Sequence, residues 1–259
     1  MAHMMERFRR SEERNGVEAL AKGLDLFRLI ADDGGQSRIS ELARYLAIPR
    51  TTLHRLLGEL ARQGMITRVG HGRYSLGITL AELEATGQFN EHLISIARSP
   101  LQRLADAHGG SAHLGVLQNA MVTYLVKTSH VMEGPDFTKE GRQLEAYCSG
   151  IGKVLLANRP ADYIEAYLAD GPFVPFTQHT ITSPNDLEKC LVAVRHQGWA
   201  SDDEEAADHL HCLAVPLGRP GRKPVAAISF SRYGIVSMGK DSNIISALRR
   251  CAEEIATLL

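Results

Sequence analysis

Apolar residues recur along this chain in two rhythms. From Val17 to Leu104 they return every three or four positions, the repeat of helices that bury one face. Beyond Gly109-Gly110 they shift to short runs and alternations typical of strands, with helices between them. Leu20, Leu24 and Phe27 mark one face of a helix from about Val17 to Ala31, stopped by Asp32-Asp33-Gly34-Gly35. Ser40 is placed to cap a second helix, with Glu41 at its start and Leu42, Ala43 and Leu46 as its stripe. Ala47-Ile48 makes the turn, and Pro49, preset near helical φ, fits the first turn of a third helix. There Leu53, Leu56, Leu57 and Leu60 fall at i, i+3, i+4 and i+7. Ile66–Val69 and Arg73–Leu76 read as a small hairpin around Gly70-His71-Gly72, whose glycines suit positive φ.

Ile78 to about Gln88 reads as a connecting helix. Asn90–His108 is a longer one, with Leu93, Ala97, Leu101 and Leu104 on one face and a bend expected at Pro100. His113–Leu117 and Met121–Lys127 are strands joined through Gln118-Asn119-Ala120. Helices are predicted over Gly152–Ala157, Asp162–Ala169 and Pro184–His196, the last opened by Ser183 with Asp186 three residues on. Leu210–Leu217 and Pro224–Ser231 are apolar strands around Gly218-Arg219-Pro220-Gly221, and a helix from about Asp241 buries Ile244, Leu248, Cys251 and Ile255. This order predicts a winged helix-turn-helix over residues 17–77, a linker helix over 78–90, and an α+β domain over 91–259 with one mostly antiparallel sheet.

Once the apolar face of the third helix is assigned, Thr51, Arg55, Gly58 and Arg62 point the opposite way, flanked by Arg50, Thr52, His54 and Glu59. A solvated helix face is the plain alternative. The adjoining hairpin, with Arg68 and Arg73, favours DNA, since a helix in the major groove and a basic wing beside it grip phosphates on both sides. Charge agrees: residues 1–78 hold 13 Lys and Arg against 9 Asp and Glu, within a chain whose formal net charge is −1.

The 259 residues suffice for one or two domains with real cores. No apolar run approaches the length of a membrane span, and the polar start MAHMMERFRRSEERNG lacks the apolar stretch of a secretory signal, so a cytoplasmic location is expected. Cys148, Cys190, Cys212 and Cys251 lack metal-type spacing, and no cofactor or metal is expected; Cys190 and Cys251 sit in apolar helical patterns as core residues.

The segments PRTTLHRLLGELARQGMI and GRYSLG, then AHLGVLQNAMVTYLVK, GIGKVLLA, FTQHTITSPNDL, QGWASDDEE, LHCLAVPL and AAISFS, follow one another in an order that resembles the IclR family of bacterial transcription regulators. The resemblance implies a DNA-binding winged helix-turn-helix, a linker helix and a GAF-like effector domain, in dimers or tetramers bound to double-stranded operator DNA. It also implies a pocket for a small organic acid. Carried over by motif, that pocket uses Gly150 and Ile151, Asp202, Leu210, Cys212 and Ser229; Ser231 shares a strand face with Ser229. Tyr147 and Cys148 stand where the family often has His and Ala, so the entrance differs, and Tyr147 either contacts an aromatic acid or packs. A thiol- or metal-responsive regulator using Cys148 and Cys212 is the alternative reading. No catalytic motif supports an enzyme, although Ser229, His113 and Asp202 are the residue types a hydrolytic triad requires.

Overall fold

The computed structural model describes residues 2–70, 72–130, 138–219, 222–234 and 241–259, with residues 2–15 given by their backbone alone. His71 and Pro220-Gly221, from the two expected turns, lie outside the described residues. Contacts divide the chain into two compact units, Met1–Phe89 and Asn90–Leu259.

The first unit contains α1 (Ala2–Asp32), α2 (Ile39–Tyr45), α3 (Arg50–Arg62), β1 (Ile66–Arg68), β2 (Tyr74–Leu76) and α4 (Ile78–Ala85). Helix α1 begins well before Val17. Residues 2–15 contain neither proline nor glycine, and Glu6 precedes Arg10 by one helical turn, so nothing in the sequence stops the helix there. Its buried face also differs from the expected one: Leu26 and Ile30 enter the core, whereas Leu20 is 63% and Leu24 45% exposed. Two apolar stripes share this helix. Val17, Leu20 and Leu24 lie roughly 120° around the axis from Gly23, Leu26 and Ile30, and the second stripe faces α3 and β2.

Helix α2 starts two residues earlier than its hydroxyl suggested. Arg38 occupies the N-cap position and donates its backbone N–H to the Glu41 carboxylate at 2.7 Å, while Ser40 lies inside the first turn. Ala47 takes the turn at φ 50°, and Pro49 caps α3 rather than lying inside it. Leu53 and Leu57 are buried, with Leu56 and Leu60 half-buried beside them. The β1–β2 hairpin pairs Ile66 with Leu76 and Arg68 with Tyr74, and Gly70 and Gly72 both have positive φ. Gly35 fixes the approach of α1's end to this hairpin: at φ 80°, a Cβ there would lie 2.6 Å from the Tyr74 carbonyl oxygen.

Helix α5 (Gln88–His108) carries Pro100 within it and buries Leu93, Ala97, Leu101 and Leu104. The sheet that follows comprises β3 (Ser111–Gln118), β4 (Met121–Ser129), β5 (Gln143–Glu145), β6 (Ala200–Asp203), β7 (Leu210–Leu217) and β8 (Ala226–Tyr233). Its order is β5-β4-β3-β8-β7-β6, and every pairing is antiparallel. Asn119 and Ala120, both at positive φ, form the two-residue turn between β3 and β4. Strands β5 and β6 add to the expected set; three- and four-residue edge strands are too short for alternation to show in the sequence.

Because β5 and β6 are opposite edges, the chain between them has to cross a face of the sheet. That crossing is made by α6 (Gly150–Ala157), α7 (Ala161–Ala169) and α8 (Pro184–Gln197). The other face packs on α5 and α9 (Ser242–Ala256) around Leu114, Ile228, Phe230 and Leu213. Ser183 leads α8 without a side-chain cap bond, whereas Asp241 caps α9 by accepting from the Asn243 and Ile244 N–H groups.

Candidate functional site

On α3 the side chains opposite Leu53 and Leu57 remain available. Arg50, Thr51, His54, Arg55 and Arg62 are exposed, and Thr52 is half-buried. Arg62 is held by Glu59, which accepts from its Nε at 3.0 Å. A surface cleft of about 360 Å³ opens where the starts of α2 and α3 meet the hairpin, lined by Arg38, Ile39, Ser40, Arg50, His54 and Gly72. On the hairpin, Arg68 is exposed; Arg73 is half-buried, and its Nε has no partner among the described residues. Hydroxyls, imidazole and guanidinium groups thus share one surface of the first unit with no bulky apolar side chain on α3 between them.

The second constellation is built by strand register. Asp202 on β6 pairs with Cys212 on β7, Cys212 with Ser231 on β8, and Ser231 with Ser111 on β3. One level along, Ala214 pairs with Ser229, Ser229 with His113, and His113 with Lys127 on β4. Strand periodicity puts both rows on one face, the one crossed by α6. Asp202, His113, Ser229 and Ser231 are all buried, while Cys212 keeps accessible surface despite lying inside the sheet.

Helix α6 brings its N-terminus to this face. Ser149 caps it, accepting from the Gly152 N–H at 3.0 Å. A Cβ on Gly150 would lie 3.2 Å from that of Ala214, and one on Gly152 would run into the Ala146 carbonyl oxygen, so both glycines allow the close approach. Gly150 and Ile151 therefore reach the sheet beside the polar rows, and Leu210 lies at the start of β7 on the Cys212 side.

Charges are buried here as well. Lys153, within apolar α6, is ion-paired with Glu205, and Asp202 accepts from the Glu205 N–H at 2.8 Å and the Ala206 N–H at 3.3 Å. Burial opposes the Lys153 ammonium, but Glu205 and Asp202 outweigh it and keep it charged. Burial raises Asp202 to about 7, against the pull of Lys153, and lowers His113 to about 3, leaving its imidazole neutral. Sequence reasoning misses the Lys153–Glu205 pair, whose one signal is a single Lys in the otherwise apolar run GIGKVLLA. It also misses Tyr124, which lies on the same face with its ring edge-on to His113 at 5.5 Å.

The two residues expected at the pocket entrance sit differently. Tyr147 stacks on Phe173 at 4.6 Å and donates its hydroxyl to the Val174 carbonyl at 2.8 Å, so its ring and its polar end are both used in packing between loops and helices. Cys148 is buried, with its thiol directed to the Glu145 carbonyl. Burial raises both the Cys148 and the Cys212 thiol, with Asp202 adding to the effect, which disfavours the thiolate that redox sensing or metal binding requires. Among the described residues no group of three His, Cys, Asp or Glu side chains gathers as a metal site, and no helix is long and apolar enough to cross a membrane. Nor does a triad assemble. His113 and Ser229 are cross-strand partners, but the His113 Nε2 lies 2.9 Å from the Thr138 hydroxyl, and Asp202 is bonded to backbone N–H groups.

A family model described as the IclR helix-turn-helix domain matches residues 19–70, and one described as the bacterial transcriptional regulator IclR C-terminal domain matches residues 89–257. The chain belongs to the IclR family. It is 32% identical over 249 residues to the HTH-type transcriptional regulator RhmR of Escherichia coli (strain K12), covering 95% of each chain. To the transcriptional repressor IclR of the same strain it is 30% identical over 220 residues, covering 83% of this chain and 80% of that one. An IclR homolog from Microbacterium hydrocarbonoxydans, solved complexed with 4-hydroxybenzoate, shares the fold at a TM-score of 0.62 and 24% identity, covering 93% and 98%. This IclR-family chain is thus a DNA-binding transcription regulator, with an N-terminal helix-turn-helix domain and a C-terminal effector domain.

Proposed function

We propose that this regulator binds an operator as a homodimer, or as a pair of dimers, and that a small organic acid bound on the α6 face of the effector-domain sheet alters that binding. The observation that carries the effector reading is the register that aligns Asp202, Cys212, Ser231 and Ser229 beside the capped start of α6. Hydroxyls, a thiol and helix-end N–H groups are the donors a carboxylate needs. The solved relative complexed with 4-hydroxybenzoate supports a small acid as the ligand class.

On the DNA side, Arg50, Thr51, Thr52, His54, Arg55 and Arg62 of α3 meet base edges and phosphates in the major groove, with Arg68 and Arg73 on the wing against the backbone. A regulator of this kind works in the cytoplasm, where the DNA is. The exposed stripe Val17, Leu20 and Leu24 on α1 is apolar surface of the kind a second copy covers.

The test has two arms. Thermal-shift measurements on the full chain against small carboxylates and aromatic acids, 4-hydroxybenzoate among them, should find a compound that raises the midpoint by mass action. An Asp202→Asn/Ser229→Ala double variant should lose that shift while retaining operator affinity; a retained shift refutes the site. Arg55→Ala should cost about 1–3 kcal/mol of specific operator affinity if the side chain reads a base. Unchanged affinity refutes that role.

A further inference from the structure

Tyr124 lies one level beyond the Ser229–His113 row, on the same sheet face. Its pairing partner is Gly115, which in turn pairs with Ala227, so the strands beside it present no polar side chain at that level. The residue is only 6% exposed, and its hydroxyl makes no side-chain hydrogen bond to a described residue. The ionisable groups that act on it are Cys212, Asp202 and Cys148, the same groups that flank the start of α6, and burial keeps it a neutral phenol able to donate. Its ring is held edge-on by His113, which is itself fixed through Thr138. The Tyr124 hydroxyl is not among the buried side-chain atoms left without a partner, so it stays open at the site, where a phenol can donate to a ligand oxygen.

Resting on the reading that this face holds the effector, we infer that the Tyr124 hydroxyl is a second recognition point, which selects acids bearing a hydroxyl or keto oxygen remote from the carboxylate. The carboxylate end belongs to the α6 terminus and the serines. The far oxygen is then met by Tyr124, with His113 as its positioning residue. A site built to hydrogen-bond a ligand oxygen penalises the analogue that lacks it, because the protein group is left unpaired.

Calorimetric titration of the full chain tests this with two probe pairs that differ by one hydroxyl: 4-hydroxybenzoate against benzoate, and 4-hydroxybutyrate against butyrate. In the unsubstituted chain at least one hydroxylated probe should bind about tenfold more tightly than its partner, the order of one buried hydrogen bond. Tyr124→Phe, which keeps the ring and its contact with His113, should erase that preference and leave the affinity of the plain acid within about threefold. His113→Gln should reduce the same preference by releasing the ring. Equal affinities within both pairs, or a preference that survives Tyr124→Phe, overturns the inference and leaves the effector reading standing. Binding that survives Asp202→Asn/Ser229→Ala, or no binding of any probe, removes the effector reading and the inference with it.

Discussion

Asp202 shows how one buried carboxyl can serve opposed ends. Two backbone N–H groups and the nearby Lys153 favour its charge, yet burial dominates and lifts it to about 7. A carboxyl in the unfolded chain titrates near about 4. Between these values the folded protein binds the proton more tightly than the unfolded chain, so stability is greatest at the acid end of that window and falls as pH rises through it. The ceiling on the loss is about 4 kcal/mol, at about 1.4 kcal/mol for each tenfold change in proton affinity. Urea midpoints at pH 5 and pH 8 should therefore fall in the native chain by more than in Asp202→Asn, where this contribution vanishes. Equal falls would show that Asp202 is ionised throughout. His113 carries the reverse sign. Its folded imidazole, near 3, stays neutral while the unfolded one loses its proton near about 6.5, so this contribution rises from pH 5 to pH 8 equally in both chains and cancels when they are compared.

At the scale of elements, glycine shows where a helix is free and where it is clamped. A Cβ on Gly58 of α3 would find nothing within 4 Å, whereas the same atom on Gly152 of α6 would overlap the Ala146 carbonyl oxygen. Gly58→Ala should raise stability by about 0.5–1 kcal/mol, through helix propensity, and, if the proposed face of α3 meets DNA, should lower operator affinity because the added methyl stands on that side. Gly152→Ala should cost about 2–3 kcal/mol as α6 is forced off the sheet. Urea unfolding with a band-shift titration checks both, and a Gly58→Ala variant with full operator affinity would remove that face from the DNA contact. These two helices also mark what can be read in the sequence. The α3 stripe of four leucines is legible because burial on one side imposes a clear period. The site face is legible only through motif resemblance, since Asp202 sits on an edge strand too short for a pattern, and since Tyr124 and Lys153 look like ordinary members of apolar runs. For Tyr147 the sequence leaves ligand contact and packing both open, because a position beside a motif does not reveal that Phe173 and Val174, some 26 residues on, take up its ring and hydroxyl.

Across the whole molecule, the surplus of apolar surface on α1 has to be accounted for. Val17, Leu20 and Leu24 are 69%, 63% and 45% exposed, although the core of the first unit is complete without them, closed by Leu26, Ile30, Leu42, Leu53 and Leu57. Their spacing of three and four residues is that of a helix face packing on another helix. Lys22 pairs with Glu18 on the same helix, so these charged positions are already matched within the chain. A second copy meeting this stripe would satisfy it by twofold symmetry, and a symmetric dimer is what two half-sites of a palindromic operator require. Replacing Leu20 and Leu24 together with Gln should therefore leave the unfolding free energy of the monomer nearly unchanged, because neither side chain contributes to the core. In sedimentation equilibrium the same variant should shift toward monomer, and its operator affinity should drop steeply as the two half-sites cease to be bound together. Leu26→Ala provides the contrast: a loss of about 2–5 kcal/mol in stability from a core cavity, with the surface stripe intact. If the Gln pair remains dimeric, the stripe is not the interface, and the contact between copies has to be sought on another face.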